Sequence, residues 1–127
     1  MNKEIIQNLI KKAQKASEKS YSPYSNYKVG AALLTKEDKI FTGTNIENAS
    51  YGATMCAERV AIFNAVASGY KDFKAIAVYT KDAGIPCGMC LQVMSEFSPE
   101  IEVIIAKSLD DYKTYKLSEL LPHPFKF

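Results

Sequence analysis

The 127-residue sequence has no tryptophan, a single histidine and only three cysteines, and each shortage excludes something. An odd cysteine count argues against a framework of paired disulfides. The lone histidine, His123 between Pro122 and Pro124, leaves nothing for a histidine-built metal centre. No stretch approaches the ~20 uninterrupted apolar residues of a membrane-spanning helix. The first twenty residues, MNKEIIQNLIKKAQKASEKS, scatter charges every few positions and lack the apolar run and small-residue cleavage site of a secretory leader, so a cytoplasmic location is expected.

An excess of either charge is also missing. Sixteen basic and fourteen acidic residues are intermingled, for a net charge of +2. Without a basic stripe to neutralise successive phosphates, no nucleic-acid polymer is expected as a partner, and without a long apolar run no membrane is. Lys3, Lys11, Lys12, Lys15 and Lys19 read as the solvated face of a helix.

What is present is the apolar content of a globular domain, 47% of residues, at a length suited to one domain spanning 1–127. Ile5, Ile6, Leu9, Ile10, Ala13 and Ala16 recur at helical spacing and predict an amphipathic helix ending near Ser20. The turn-rich Tyr21–Asn26 predicts a loop. Residues 27–35 and 39–44 predict two strands joined through Lys36-Glu37-Asp38, and 45–54 a loop. A helix is expected from Met55 until Gly69, a strand over 73–80, and a helix opening at Cys87 and closed by Ser98-Pro99. Strands at 101–106 and 112–116 and a helical turn near Leu120 follow. Helices alternating with strands over a mixed sheet define an α/β fold, a three-layer α/β/α sandwich.

The cysteines carry the chemistry. Cys87 and Cys90 are three apart where a loop feeds a helix, and residues so spaced project to one side and can chelate one ion. Cys56 opens another helix. Helix N-termini favour negative charge and hold thiols as the thiolates a metal requires. Thiolate ligands suit tetrahedral zinc, and with three cysteines and no suitable histidine the fourth position falls to water, the mark of a catalytic site. Glu58, two residues after Cys56, can reach that water without ligating the metal and exchange protons with it. Three thiolates and a divalent ion leave a net −1, which weakens the acidification of water. Arg59, next in sequence, is the expected remedy, donating hydrogen bonds to the sulfurs.

Cys56-Ala57-Glu58 and Pro86-Cys87-Gly88-Met89-Cys90, with 31 positions from the first cysteine to the second, resemble the signature of the zinc-dependent deaminases. YSPYSNYKVGAALLT, GTNIENASYGATMCAERVA, GIPCGMCLQVMSEF and the terminal LLPHPF extend that resemblance over nearly the whole chain, to the small homotetrameric cytidine deaminases. The resemblance implies hydrolytic deamination of cytidine and deoxycytidine to uridine and deoxyuridine. It implies one zinc per subunit on Cys56, Cys87 and Cys90, with Glu58 as proton carrier. It further implies that Asn45 and Glu47 bind the ribose hydroxyls and that backbone groups at Ala57 and Cys87 read the base. Tyr27 stands where the family usually has a phenylalanine lining the pyrimidine pocket. Its hydroxyl needs a partner. Phe125, or Phe127 in its stead, corresponds to an aromatic that reaches a neighbouring subunit's site in a homotetramer; core packing is the alternative for either. Leu91 departs from the arginine common after the last ligand.

Three other readings are weighed. A structural zinc in a binding module needs a fourth protein ligand, and none is evident. A dithiol redox protein would use Cys87 and Cys90 but leaves Cys56 and Glu58 unexplained. A zinc deaminase acting on another aminopyrimidine nucleoside, such as a nucleoside antibiotic, would share fold and metal site. The pair Asn45 and Glu47 favours an ordinary ribose or deoxyribose, and the lack of a basic cluster disfavours a 5′-phosphate.

Overall fold

The computed structural model describes all of residues 1–127. Helix α1 (Lys3–Ser17) is capped by Asn2, whose side chain accepts from the Ile5 amide at 2.9 Å. Its buried stripe is Ile6, Leu9, Ile10 and Ala13, with the lysines outward, as the periodicity predicts; Ile5, expected in the stripe, is exposed at its edge and Ala16 is half-buried. The helix stops short of Ser20, because the amides of Glu18, Lys19 and Ser20 turn to carbonyls only three residues back.

A five-stranded sheet follows, in the order β2-β1-β3-β4-β5. It comprises β1 (Gly30–Thr35), β2 (Ile40–Thr44), β3 (Phe73–Tyr79), β4 (Glu102–Ala106) and β5 (Tyr112–Lys116). Only β3 and β4 are parallel, Ile76 opposite Val103; the other neighbours are antiparallel. Parallel pairing requires a crossover, which α3 (Gly88–Phe97) supplies. Helix α2 (Ala57–Ala67), a single 3₁₀ turn at Tyr51–Ala53 within the expected loop, and a closing turn, α4 (Leu117–Leu120), complete the elements.

Alternation along the strands divides the core in two. Ala31, Leu33, Ile76, Val78, Val103 and Ile105 face α2 and α3, where Ile62, Met94 and Leu91 meet them. Ala32, Leu34, Ala75, Ala77, Ile104 and Ala106 face α1. The three-layer sandwich expected from sequence is therefore the observed architecture. Leu91 is 5% exposed and belongs to this core.

Two glycines set the layer spacing. A Cβ on Gly30 would collide with the carbonyl oxygen of Ala13, and one on Gly43 would lie 2.6 Å from the Ala57 oxygen. Glycine alone lets α1 sit on β1, and α2 on β2, at these distances.

Strand β1 begins at Gly30, three residues later than the sequence suggests. Ahead of it the Asn45 side chain takes over the ladder. Its Oδ1 accepts from the Val29 amide at 3.0 Å and its Nδ2 donates to the Tyr27 carbonyl at 2.7 Å. Tyr27–Val29 thus lie outside the strand, held chiefly by the Asn45 side chain.

Candidate active site

The chemistry gathers at one end of the sheet, outside the carboxyl end of β3, where α2 and α3 begin. Cys56 is the N-cap of α2 and Cys87 that of α3, each in extended conformation. Both helices thus open one residue later than their cysteines. Serine, threonine, asparagine and aspartate normally occupy this position and bond back to the helix amides. Neither cysteine makes such a bond, so both sulfurs remain free to face each other.

The Sγ atoms of Cys56 and Cys87 are 3.7 Å apart, and those of Cys87 and Cys90 3.4 Å. All three sulfurs lie within 4.8 Å of one another, and none forms a disulfide. Two sulfurs bound to one tetrahedral zinc at ~2.3 Å stand ~3.8 Å apart, so the triad fits a single ion. Cys90 is buried, Cys56 half-buried and Cys87 exposed, giving the ion an enclosed side and an open one. His123 lies exposed in the C-terminal tail, outside the cluster.

The electrostatics suit a cation. The neighbouring Cys90 thiol, followed by the Arg59 guanidinium, draws the Cys56 thiol down to about 5. Cys90 moves the opposite way, raised first by its hydrogen bonding with Cys56 and then by burial. The Cys56 sulfur is thus disposed toward the thiolate form that a divalent ion requires. Arg59 donates from Nη2 to the Cys56 sulfur at 3.3 Å, as its place in sequence suggests. Its Nε is buried without a partner, an orphaned donor beside the sulfur cluster.

Glu58 is 4% exposed, and no side chain bonds to its carboxyl. Burial raises it to about 7, with the Cys56 charge adding to the effect. A carboxyl titrating near neutrality can both accept and return a proton.

Cys56, Cys87 and Glu58 line a cavity of about 440 Å³, within the usual range for a small-molecule site. Tyr27, Asn45, Glu47 and Ala57 line it too, while Cys90 and Arg59 stand outside its lining, against the Cys87 and Cys56 sulfurs; the terminal aromatics lie apart. Phe125 is 74% exposed and stands elsewhere, on the flank of α3. There Gln92 grips its backbone twice, donating from Nε2 to the carbonyl at 2.9 Å and accepting its amide at 3.0 Å. Phe127 is exposed as well, so neither ring is core packing.

The polar wall is held in place locally. Glu47 accepts the amides of Tyr24 at 2.9 Å and Ser25 at 3.2 Å, and the Ser25 hydroxyl donates to its other oxygen. The Ser25 hydroxyl bond, with those amides behind it, holds the Glu47 carboxyl below its ordinary range. Asn45 accepts from Ser20 Oγ at 2.5 Å, which with its bonds to Val29 and Tyr27 leaves one Nδ2 hydrogen uncommitted.

Sequence reasoning missed Ser25, Thr80, Gly84 and Ile85, which also line the cavity. It missed Asp82 as well, whose Oδ1 accepts the Tyr27 hydroxyl at 2.5 Å. The unmet hydroxyl of Tyr27 was the available signal.

Residues 3–107 match the family described as the cytidine and deoxycytidylate deaminase zinc-binding region. A cytidine deaminase of Halalkalibacterium halodurans is 49% identical over 122 residues, covering 94% of this chain and 92% of that protein. The crystal structure of cytidine deaminase from Burkholderia pseudomallei superposes with a TM-score of 0.88 at 49% identity, covering 93% of this chain and 97% of that one. A blasticidin-S deaminase of Bacillus cereus is 35% identical over 130 residues, covering 93% and 92%.

Proposed function

The chain belongs to the zinc-dependent cytidine and deoxycytidylate deaminase family, and on that premise we propose that it hydrolyses cytidine and deoxycytidine to uridine and deoxyuridine, releasing ammonia. The observation that carries the reading is the meeting of three cysteine sulfurs and a buried glutamate at one cavity wall.

Cys56, Cys87 and Cys90 would hold one zinc, and the cluster includes no fourth protein ligand that would compete with water. When bound, the ion supplies Lewis acidity that makes water a nucleophile at neutral pH. Glu58 takes the proton that water loses as its oxygen bonds to C4 of the base, and returns that proton to N3. A second transfer through Glu58 moves the remaining hydroxyl proton to the amino nitrogen, and the C4–N bond breaks with loss of ammonia. Arg59 offsets the negative charge of the sulfurs throughout.

Glu47 and Asn45 bind the sugar. A carboxylate has about four acceptor sites, and three donors occupy those of Glu47, which leaves one for a ribose hydroxyl. Asn45 offers its remaining Nδ2 hydrogen. The Tyr27 ring lines the base pocket, and backbone groups at Ala57 and Cys87 read the base edge. The working enzyme is a cytoplasmic homotetramer of single-domain subunits, in which Phe125 completes a neighbour's pocket. Its three cysteines free of disulfides, its exposed Phe125 held off its own cavity by Gln92, and the absence of any helix long and apolar enough to cross a membrane support this reading.

An ultraviolet assay with cytidine, deoxycytidine and their monophosphates, with and without chelator, tests it. Turnover of the nucleosides, abolished by the chelator, is expected. The likeness to a blasticidin-S deaminase favours one alternative, an aminopyrimidine nucleoside antibiotic as substrate. Turnover of blasticidin S with none of cytidine would establish that alternative in its place.

A further inference from the structure

Tyr27 and Asp82 lie 55 positions apart, yet a single carboxylate oxygen joins them. Oδ1 of Asp82 accepts the Tyr27 hydroxyl at 2.5 Å and the Thr80 hydroxyl at 3.2 Å. Thr80 in turn accepts the Gly84 amide at 2.8 Å. These bonds tie the segment leading into β1 to the connection between β3 and α3, which ends at Cys87.

Three further observations bear on this knot. Ala83 holds a positive φ of 55° beside it, a strained backbone that persists only where its surroundings over-determine it. A Cβ on Gly84 would lie 2.7 Å from the Tyr27 hydroxyl, so the connection closes tightly over the ring edge. The Lys81 ammonium stands 5.8 Å from the ring centroid, fixing the ring from another side. The Asp82 carboxyl is held below its ordinary range, first by the Tyr27 bond.

Tyr27, Thr80, Gly84 and Ile85 line the cavity, whereas Asp82 does not. We propose that Asp82 is a positioning residue for nucleoside binding, fastening the Tyr27 ring and the β3–α3 connection into a single preformed wall. The inference rests on the deaminase reading above. A phenylalanine at position 27 would leave this carboxylate only its bond with Thr80, so the hold on the ring depends on the tyrosine hydroxyl. Freeing the ring and the connection makes the substrate order them on binding, a cost that falls on affinity more than on the chemical step.

Steady-state deamination of cytidine by zinc-loaded protein tests this with Asp82→Ala, Asp82→Asn, Tyr27→Phe and the double variant Tyr27→Phe/Asp82→Ala. Asp82→Ala is expected to raise KM about fivefold with kcat held within about twofold. Asp82→Asn keeps an acceptor oxygen and should restore KM to within about twofold of wild type. The double variant should be no worse than the poorer single one, because both remove the same bond. An unchanged KM in Asp82→Ala overturns the proposal, as do single effects that multiply in the double variant. Failure of Asp82→Asn to rescue overturns it equally. A wild type without cytidine turnover would instead defeat the functional reading on which it rests, whereas changes confined to the variants judge Asp82 alone.

Discussion

The Nη2 of Arg59 lies 3.3 Å from the sulfur of Cys56, a residue three positions earlier at the cap of the same helix. On the proposed reading, the cap and first turn of α2 supply a metal ligand, a proton carrier and a cation that tempers the ligands' charge. Arg59→Ala should weaken zinc binding or activity by roughly 10–100-fold, the usual effect of losing a partner to a metal ligand. Competition against a chromophoric chelator measures it, and unchanged affinity and turnover would remove Arg59 from the site.

Glu58→Gln replaces a buried carboxyl by a neutral group of the same shape. Zinc content and the thermal midpoint should stay near wild type while turnover falls by ~10²–10⁴-fold. Near-normal turnover would mean that another group moves the protons.

Zinc removal should expose three titratable thiols and lower stability. An ion that binds only the folded chain stabilises it by about 4 kcal/mol at ~1,000 times its dissociation constant. Calorimetry with and without chelator, alongside a thiol count, checks both. A midpoint indifferent to zinc would show that the cysteines do not hold it.

Glu47 predicts how acid acts. Its folded carboxyl titrates below the ordinary 4.5, chiefly through the Ser25 hydroxyl. The folded state therefore binds this proton less readily than the unfolded chain. The stabilisation is fully present above the ordinary value and is lost as pH falls through the lower, folded one. Urea midpoints followed from neutral pH into this acid range should drop more steeply for wild type than for Glu47→Gln, whose side chain does not titrate. Parallel curves would deny Glu47 this role.

Gly30→Ala places a methyl group against the Ala13 carbonyl in backbone that cannot yield cheaply. Overpacking of this kind costs about 3 kcal/mol or more. Denaturant unfolding should show the loss, and a variant as stable as wild type would mean that α1 can lift off the sheet.

Much of this was legible in the sequence because it is local. The stripe of Ile6, Leu9, Ile10 and Ala13 follows helical period, and Cys56, Glu58, Cys87 and Cys90 carry their chemistry in their spacing. What was not legible depends on side chains that meet across distance. The start of β1 moved because the Asn45 amide substitutes for a strand neighbour of Tyr27 and Val29. Helix α2 opens at Ala57 rather than Met55, and α3 at Gly88 rather than Cys87, because Cys56 and Cys87 take the extended backbone of caps. The link from Tyr27 to Asp82, and the hold of Gln92 on Phe125, span 55 and 33 positions and leave no periodic trace.

The antiparallel register of β1 and β3, Gly30 opposite Tyr79 and Thr35 opposite Phe73, gives the sheet a working end and an idle one. Tyr27, Asn45, Cys56 and Cys87 all gather at the first. The turn at Lys36–Asp38 belongs to the second, joined there to Asp72 and Lys74 and exposed to solvent. Foreign sequence grafted at Glu37, whether an affinity tag, a fluorophore site or a tether to a solid support, would lie a full strand's length from the chemistry. That turn is the natural handle by which to immobilise the enzyme without touching its pocket.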